Sequence, residues 1–140
     1  MNINIPPLDE NPSDSDVHFL ENRINEYNVE RTGITDGKIL SYFVRDQNGA
    51  IVAGLYGWTW GGCCEIRDLW VRDDYRNSGY GKALMQAAEN EAIARGCRQI
   101  VLDTHSFQAP NFYQRLGFNI VGTHLDYPQG HRKHYLSKAL

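Results

Sequence analysis

Residues 71–84 read VRDDYRNSGYGKAL and lie between an apolar run, Ile66 to Val71, and a helical pattern that starts near Gly79. Two glycines with one residue between them let the backbone adopt positive φ and let a ligand approach the main chain closely. The helix that follows begins with unpaired N–H groups at the positive end of its dipole, and Arg76 and Lys82 add positive charge to the same turn. The stretch therefore predicts a strand, a phosphate- or pyrophosphate-binding turn and a helix.

The glycine spacing excludes two common nucleotide-binding loops. The Walker pattern G-x-x-x-x-G-K-[ST] fails because Arg76 stands at the first glycine position and Ala83 replaces the metal-binding hydroxyl. The dinucleotide pattern G-x-G-x-x-G fails because Leu84 stands at the third glycine position. On the loop alone, a glycine-bearing turn without a ligand remains an alternative interpretation.

Length and composition indicate one soluble domain over residues 1–140. The chain has 140 residues, of which 41% are hydrophobic and 22% charged, and such a chain builds a real core. A net charge of −3 gives no electrostatic footprint for nucleic acid and mildly favours a cationic partner. No apolar run is long enough for a membrane span, and the N-terminus lacks signal-peptide character. Three cysteines without a Cys-x-x-Cys spacing fit reduced thiols in a cytoplasmic protein better than a disulfide framework or a zinc site.

The N-terminal part predicts a short strand within Met1–Ile5 and then a helix from about 15 to 28. Val17, Leu20, Ile24 and Tyr27 recur at helical spacing in that helix, so we expect them to form one face that packs inward.

The remaining pattern predicts a mixed, mostly antiparallel sheet of the α/β (α+β) class with a central βαβ crossover. The expected order is β-α-β-β-β-α-β-α-β-β. After the N-terminal strand and helix, strands are predicted at 39–45, 51–60, 63–71, 99–104, 118–124 and 131–137, and helices at about 79–95 and 109–116.

Two motifs carry a resemblance to a known family. Arg76-x-x-Gly79-x-Gly81 resembles the acetyl-CoA pyrophosphate signature [QR]-x-x-G-x-[GA] of the GNAT superfamily of N-acetyltransferases. Residues 109–118, APNFYQRLGF, resemble the second marker of that superfamily, A-x-x-x-Y-x-x-x-G-F. Residues 65–71 also look like the strand that precedes the pyrophosphate loop. The resemblance covers about 38–137 in the family order.

The resemblance implies acetyl-CoA as co-substrate. Independently of it, we expect no metal. The resemblance also implies that the strands at 63–71 and 99–104 splay apart, with the pantetheine arm lying between them. The residues that the family pattern places against the co-substrate are Leu69, Trp70, Val71, Arg76, Asn77, Ser78, Gly79, Tyr80, Gly81, Lys82, Ser106 and Asn111. Two of them depart from the family: Asn77 stands where glycine is frequent, and Ser106 stands where many members have an asparagine.

The same resemblance implies roles in catalysis for two side chains. Tyr113 matches the tyrosine that acts as general acid toward the departing thiolate; the alternative is a buried tyrosine that packs beside Phe112 and Phe118. Glu65 matches the glutamate that serves as general base in the histone-acetylating branch. Asp68, Asp103 and His105 are its rivals, and an exposed or ion-paired Glu65 is the structural alternative.

The surroundings of Glu65 follow from the strand pattern. If Gly61-Gly62 is a two-residue hairpin turn, Trp58 lies directly opposite Glu65 and Tyr56 opposite Arg67. Desolvation by Trp58 would make the carboxylate a stronger base, whereas Arg67 would make it a weaker one. A bulge in this strand would break the alternation beyond it.

The acceptor is expected to be an amine that attacks directly in a ternary complex. Aromatic and polar residues that suit a small cationic amine are Tyr56, Trp58, Trp60, Asp103, His105 and Tyr127. A protein lysine or N-terminal amine stays open as acceptor, as do a homodimer and a non-catalytic acyl-CoA-binding module. The spacing of His131 and His134 places them on opposite faces of a strand, so we expect no metal pair there.

Overall fold

The computed structural model describes residues 2–140, which form two compact units. The first unit ends at Thr35, and the second spans Asp36–Leu140. The elements, in chain order, are α1 (Asp14–Thr32), β1 (Lys38–Arg45), β2 (Ile51–Trp60), β3 (Cys63–Val71), α2 (Tyr80–Ala94), β4 (Gln99–His105), α3 (Pro110–Arg115), β5 (Asn119–Leu125) and β6 (Arg132–Ala139), with a 3₁₀ turn at Asp73–Tyr75.

The predicted N-terminal strand is wrong for the residues that can be checked. Residues 2–5 form no strand, and Met1 lies outside the described residues. Ile3 and Ile5 are exposed, and the following Pro6 and Pro7 lack the N–H groups that a ladder requires.

Helix α1 forms where the sequence predicts it, but its apolar face is not buried. The hydroxyl of Ser13 accepts a hydrogen bond from the Asp16 amide at 3.1 Å and caps the helix, and Gly33 ends it with a φ of 71°. Val17, Leu20, Ile24 and Tyr27 are between 40% and 65% exposed. The predicted burial of this face is therefore wrong, because helical periodicity identifies an apolar stripe without identifying what covers it.

The second unit is a six-stranded sheet in the order β1-β2-β3-β4-β6-β5. Strands β3 and β4 are parallel and joined through α2, and the other neighbours are antiparallel. The predicted mixed sheet with a central βαβ crossover is confirmed. Its core lies on one face, where α2 and α3 pack on the sheet; the core residues include Leu40, Leu55, Cys64, Ile100, Leu136, Leu84, Met85, Ala88, Ala92, Tyr113 and Phe118.

Strands β3 and β4 stay together over a short distance and then diverge. They pair at three positions, of which Glu65↔Val101 is the last. Beyond it, within the described chain, β3 pairs with β2 alone and β4 with β6 alone. The sheet therefore contains a gap that opens from Glu65 toward the end of β3, as the resemblance implied.

The face of the sheet opposite the core carries polar and aromatic side chains. Paired residues share a face, so Trp58, Glu65 and Val101 lie together, and alternation along β4 adds Asp103 and His105. We call this surface the open face.

Candidate active site

The loop after β3 presents a set of amides with no acceptor. Asn77 and Gly79 adopt left-handed conformations, with φ of 59° and 90°. The first helical bond of α2 runs from the Ala83 amide to the Gly79 carbonyl at 2.9 Å. The N–H groups of residues 77–82 have no backbone or side-chain acceptor among residues 2–140. Such amides, with the exposed Lys82 beside them, fit the pyrophosphate of acetyl-CoA.

The Arg76 side chain makes two contacts that hold this loop to the end of β3. Its Nε donates to the Val71 carbonyl at 2.9 Å, and its Nη1 lies 2.8 Å from Asp73 Oδ1. The guanidinium therefore joins the end of β3 to the turn, and its contact with phosphate remains a prediction.

Gly81 allows the first turn of α2 to pack closely on Phe112. A Cβ atom at this position would lie 3.3 Å from Cζ of Phe112. The first turn of α2 thus approaches α3 closely, and this contact holds the loop beside the helix that carries Tyr113.

The backbone of β3 offers two residues to the gap. Directly opposed residues in an antiparallel pair alternate between bonding to each other and facing away. The Arg72 amide bonds the Val52 carbonyl at 2.8 Å, so Val71 and Leu69 direct their N–H and C=O groups away from β2 and into the gap. The backbone groups of Trp70 point toward β2 instead. Pairing of Leu69 and Val71 with a pantetheine arm remains a prediction, and the Val71 carbonyl already accepts from Nε of Arg76.

Tyr113 lies on α3 with its ring in the core. Its side chain packs edge-on against Phe112 and Phe118, with ring centroids 5.1 and 5.9 Å apart. Burial, with a smaller contribution from Asp103, raises the pKa of Tyr113 to about 12. Its hydroxyl has no hydrogen-bond partner in the part of the chain that the structure describes, yet it is not fully enclosed. It is thus a neutral donor near neutral pH.

The hairpin before Glu65 forms as predicted, whereas the pairing beyond it does not. Trp58 is directly opposite Glu65, but Tyr56 is opposite Asp68 instead of Arg67. The cause is a bulge at Arg67. A Cβ atom on Gly57 would lie 2.1 Å from the Glu65 carbonyl oxygen, so the glycine permits the close backbone approach at this bulge. Glu65 is exposed despite its position opposite Trp58.

Asp103 and His105 lie together near the wide end of the gap. Asp103 is 3.7 Å from Nζ of Lys133, and Nδ1 of His105 lies 2.9 Å from the Tyr127 carbonyl oxygen. The rings of Tyr127 and Phe107 stack on the His105 ring.

Lys133 and Phe107 were not predicted. Nζ of Lys133 lies 4.9 Å from the ring centroid of Tyr127. Lys133 and Tyr135 alternate in β6, which is the pattern that indicates a shared face. Phe107 follows β4 in an irregular turn, where no periodicity exists to read.

Three of the residues predicted to contact the substrates lie away from His105 or already bond to another part of the chain. Trp60 pairs with Cys63 at the closed end of the sheet, on the other side of Glu65 from the gap. The Ser106 hydroxyl accepts from the Arg132 amide at 3.0 Å, which fastens the turn after β4 to β6. Asn111 is exposed on the first turn of α3.

The described residues 2–140 contain no helix long and apolar enough to cross a membrane. No cluster of three His, Cys, Asp or Glu side chains that could hold a metal occurs among them.

Comparison with known proteins gives the family. The model described as "Acetyltransferase (GNAT) family" matches residues 9–118. The chain belongs to the GNAT family. Blasticidin-S acetyltransferase of Streptomyces morookaense is 33% identical over 119 residues, which cover 80% of this chain and 85% of the relative. An acetyltransferase of Agrobacterium fabrum is 33% identical over 97 residues, with 69% and 71% covered.

Solved GNAT structures share the fold. A crystal structure of an acetyltransferase from Bacillus cereus superposes with a TM-score of 0.78 at 32% identity and covers 96% of this chain and 98% of its own. A Bacillus anthracis structure in complex with acetyl coenzyme A has the same fold, with a TM-score of 0.64 at 22% identity over 73% of this chain and 62% of its own. The expected GNAT fold, acetyltransferase class and use of acetyl-CoA are thereby confirmed.

Proposed function

We propose that this GNAT enzyme transfers the acetyl group of acetyl-CoA to a primary amine of a small cationic molecule, by direct attack in a ternary complex. The observation that carries the proposal is the open face beside the gap, where aromatic rings and carboxylates lie together. Tyr56 and Trp58 meet edge-on at 6.2 Å, and Glu65, Asp68 and Asp103 share their face. Aromatic faces and carboxylates both attract an ammonium group. The relative that is a blasticidin-S acetyltransferase supports a small-molecule acceptor.

Binding of the donor is assigned to backbone groups. The free amides of residues 77–82 hold the pyrophosphate, and Leu69 and Val71 align the pantetheine arm along β3. When bound, acetyl-CoA supplies the activated acetyl thioester. A gap-facing N–H of β3 stabilises the negative charge that develops on the acetyl oxygen.

Two side-chain roles complete the mechanism. Tyr113 donates a proton to the departing sulfur, which its raised pKa permits because the phenol is protonated near neutral pH. The amine must lose a proton before it attacks, and Glu65, Asp103 and His105 are the candidate acceptors on the open face. Glu65 and Asp103 also attract and orient the cationic acceptor.

The test is an acceptor panel with purified enzyme. Small di- and polyamines, amine-bearing antibiotics, a lysine peptide and a peptide with a free N-terminus are each mixed with acetyl-CoA. Release of free thiol is followed, and acetylated products are identified by mass spectrometry. The proposal expects transfer to small cationic amines. Transfer to peptides alone would replace it with a protein acetyltransferase, and CoA binding by calorimetry without any transfer would replace it with a binding module.

We also propose a cytoplasmic location. Its support is that Cys63, Cys64 and Cys97 are all free thiols, which suits a reducing compartment. Cell fractionation with an antibody to the protein tests it, and recovery in an extracellular fraction would contradict it.

A further inference from the structure

We infer that His105 is the general base of the reaction and that its Nε2 takes the proton from the attacking amine. The inference rests on the function proposed above. It starts from one contact: Nδ1 of His105 lies 2.9 Å from the main-chain carbonyl oxygen of Tyr127.

That contact fixes the tautomer of the neutral imidazole. A carbonyl oxygen can only accept a hydrogen bond, so Nδ1 carries the hydrogen and donates it. In neutral histidine the other nitrogen then has the lone pair. Nε2 is therefore the basic atom, and it has no hydrogen-bond partner within residues 2–140.

The ring is also fixed in orientation. It stacks with the ring of Phe107, at 5.2 Å and an interplanar angle of 6°, and with the ring of Tyr127, at 5.4 Å and 30°. The Tyr127 backbone is itself held, because its amide donates to the His131 carbonyl at 3.2 Å. The His105 amide donates to Oε1 of Gln108 at 2.7 Å. A base held in this way needs little reorganisation when the acceptor arrives.

The strand order indicates which side of the ring is open to the acceptor. β4 has β6 on one edge and the gap on the other. Tyr127 belongs to the loop that joins β5 to β6, so we expect a ring whose Nδ1 is bonded to that loop to leave Nε2 toward the gap. His105 ends β4 on the open face, where the distance from β3 is no longer bridged by pairing.

The rival bases lie in different surroundings. Asp103 is 3.7 Å from the Lys133 ammonium group, which competes for its oxygens. Glu65 lies where β3 and β4 still pair, at the narrow end of the gap. The titratable and charged groups around the His105 ring are Lys133 directly opposite in β6, Asp103 on the same strand, His124 across from Lys133 in β5, His131 packed against Phe107, and the Tyr127 phenol.

Each proton in the proposed acetyl transfer has a donor and an acceptor. The ammonium group of the acceptor gives one proton to Nε2, and the neutral nitrogen then forms the N–C bond as the C–S bond breaks. The sulfur takes its proton from the Tyr113 hydroxyl. The nitrogen loses its second proton, which restores Tyr113 through water, and the imidazolium releases its proton to solvent.

The test uses His105→Asn, because the asparagine amide can still donate to the Tyr127 carbonyl but has no atom in place of Nε2. We expect kcat/KM near neutral pH to fall by about 10²–10⁴-fold, the usual effect of losing a positioned base. The rate should then rise with pH as the amine deprotonates in solution, and added imidazole should restore part of it. His124→Asn is the matched control, a second ring of the same group outside the proposed machinery, and should show neither change.

The outcomes separate the two proposals. If the wild-type enzyme acetylates an amine and folded His105→Asn keeps the wild-type pH profile, the base inference is overturned and the proposed function stands. If His105→Asn does not fold, as judged by circular dichroism and CoA calorimetry, His105→Gln is read in the same way, since it too lacks a basic atom. If the wild-type enzyme acetylates nothing on the panel, the proposed function fails and the inference fails with it.

Discussion

Tyr113 combines two environments in one side chain. The residue is 8% exposed and its ring packs in the core, whereas its hydroxyl is not fully enclosed and is bonded to no other described residue. The packing and acid interpretations of this tyrosine therefore describe different parts of the residue. A hydroxyl without a buried partner contributes little to stability, so its presence is better explained by chemistry.

Replacing Tyr113 with phenylalanine separates the two parts. The change keeps the edge-on contacts with Phe112 and Phe118 and removes only the hydroxyl. We expect kcat at saturating acetyl-CoA to fall by about 10²–10⁴-fold, with a midpoint of urea unfolding close to that of the wild type. Wild-type turnover in this variant would leave Tyr113 with a packing role alone.

The raised pKa of Tyr113 has a consequence at alkaline pH. A tyrosine in an unfolded chain ionises at about pH 10, whereas Tyr113 does so at about 12 in the folded protein. The unfolded state therefore releases this proton first, so the Tyr113 contribution is intact below pH 10 and is lost as pH rises from about 10 through about 12. Unfolding measured between pH 9 and 12 should show a smaller alkaline loss in Tyr113→Phe than in the wild type, and parallel curves would contradict the raised pKa.

Single contacts differ in how far sequence determines them. The Trp58–Glu65 pair is predictable because Gly61 and Gly62 both adopt positive φ, at 59° and 82°, and a two-residue turn sets the register. The Arg67 bulge is not, since it depends on how closely two backbones approach at Gly57. Alternation of side chains carries no information about that distance.

At the scale of elements, CoA binding by the loop between β3 and α2 is best tested by introducing a negative charge at a position where a larger side chain causes no clash. Ser78 is exposed in the middle of the free amides, whereas a side chain at Gly81 would meet Phe112. Ser78→Glu should weaken CoA binding about fivefold or more, because a like charge a few Å from phosphate costs about 1 kcal/mol or more.

Ser78→Gln is the control for size and should bind nearly as well as the wild type. Calorimetry at low and high salt measures both variants, and the difference between them should shrink with salt. Equal affinities for the two variants would remove the pyrophosphate from this loop.

We expect the bulge in β3 to help position the site. Gly57→Ala would force its new methyl group against the Glu65 carbonyl, so β2 and β3 must shift beside the gap. A misplacement of about 1 Å at a reacting centre costs about 10²-fold in rate, and we expect a loss of kcat of that order.

Gly122→Ala provides the comparison. Gly122 also flanks a bulge, in β5, but an added Cβ there meets nothing within 4 Å. Its turnover should stay near that of the wild type, and its free energy of unfolding should lie within about 0.5 kcal/mol of the wild-type value. A Gly57→Ala enzyme that matches Gly122→Ala in kcat would show that the bulge does not position the site.

Regular elements were predictable where composition and periodicity agree. Strands β2 and β3 have the predicted bounds, and α2 has the expected start because Gly79 and its free amides mark a helix N-terminus. Helix α1 has the predicted place but not the predicted burial. Its apolar stripe says nothing about the distance to a partner surface, and that distance decides burial.

For the whole molecule, the order of elements determines which residues can meet. The two family motifs predict a loop and a helix on either side of the βαβ crossover, and the fold brings Gly81 and Phe112 into contact. The group of side chains around His105, which comprises Phe107, Tyr127 and Lys133, was only partly predictable. Together with His105, its members come from β4, the following turn, the β5–β6 loop and β6, and no local sequence pattern relates such distant segments.

The three-pair junction between β3 and β4 makes the sheet two pieces in a mechanical sense. Long antiparallel pairing holds together β1-β2-β3 and, separately, β4-β6-β5. Only the three β3–β4 pairs, which we call the seam, join the two pieces. Each piece should open and close as its own cooperative unit, and amide hydrogen exchange should report two opening free energies. A donor molecule laid along Leu69 and Val71 would act as a missing strand and merge the two. When CoA is added, amide exchange should slow most at Leu69 and Val71, and the two pieces should then open together. Uniform slowing across the sheet would instead mean that the two pieces already open together without CoA.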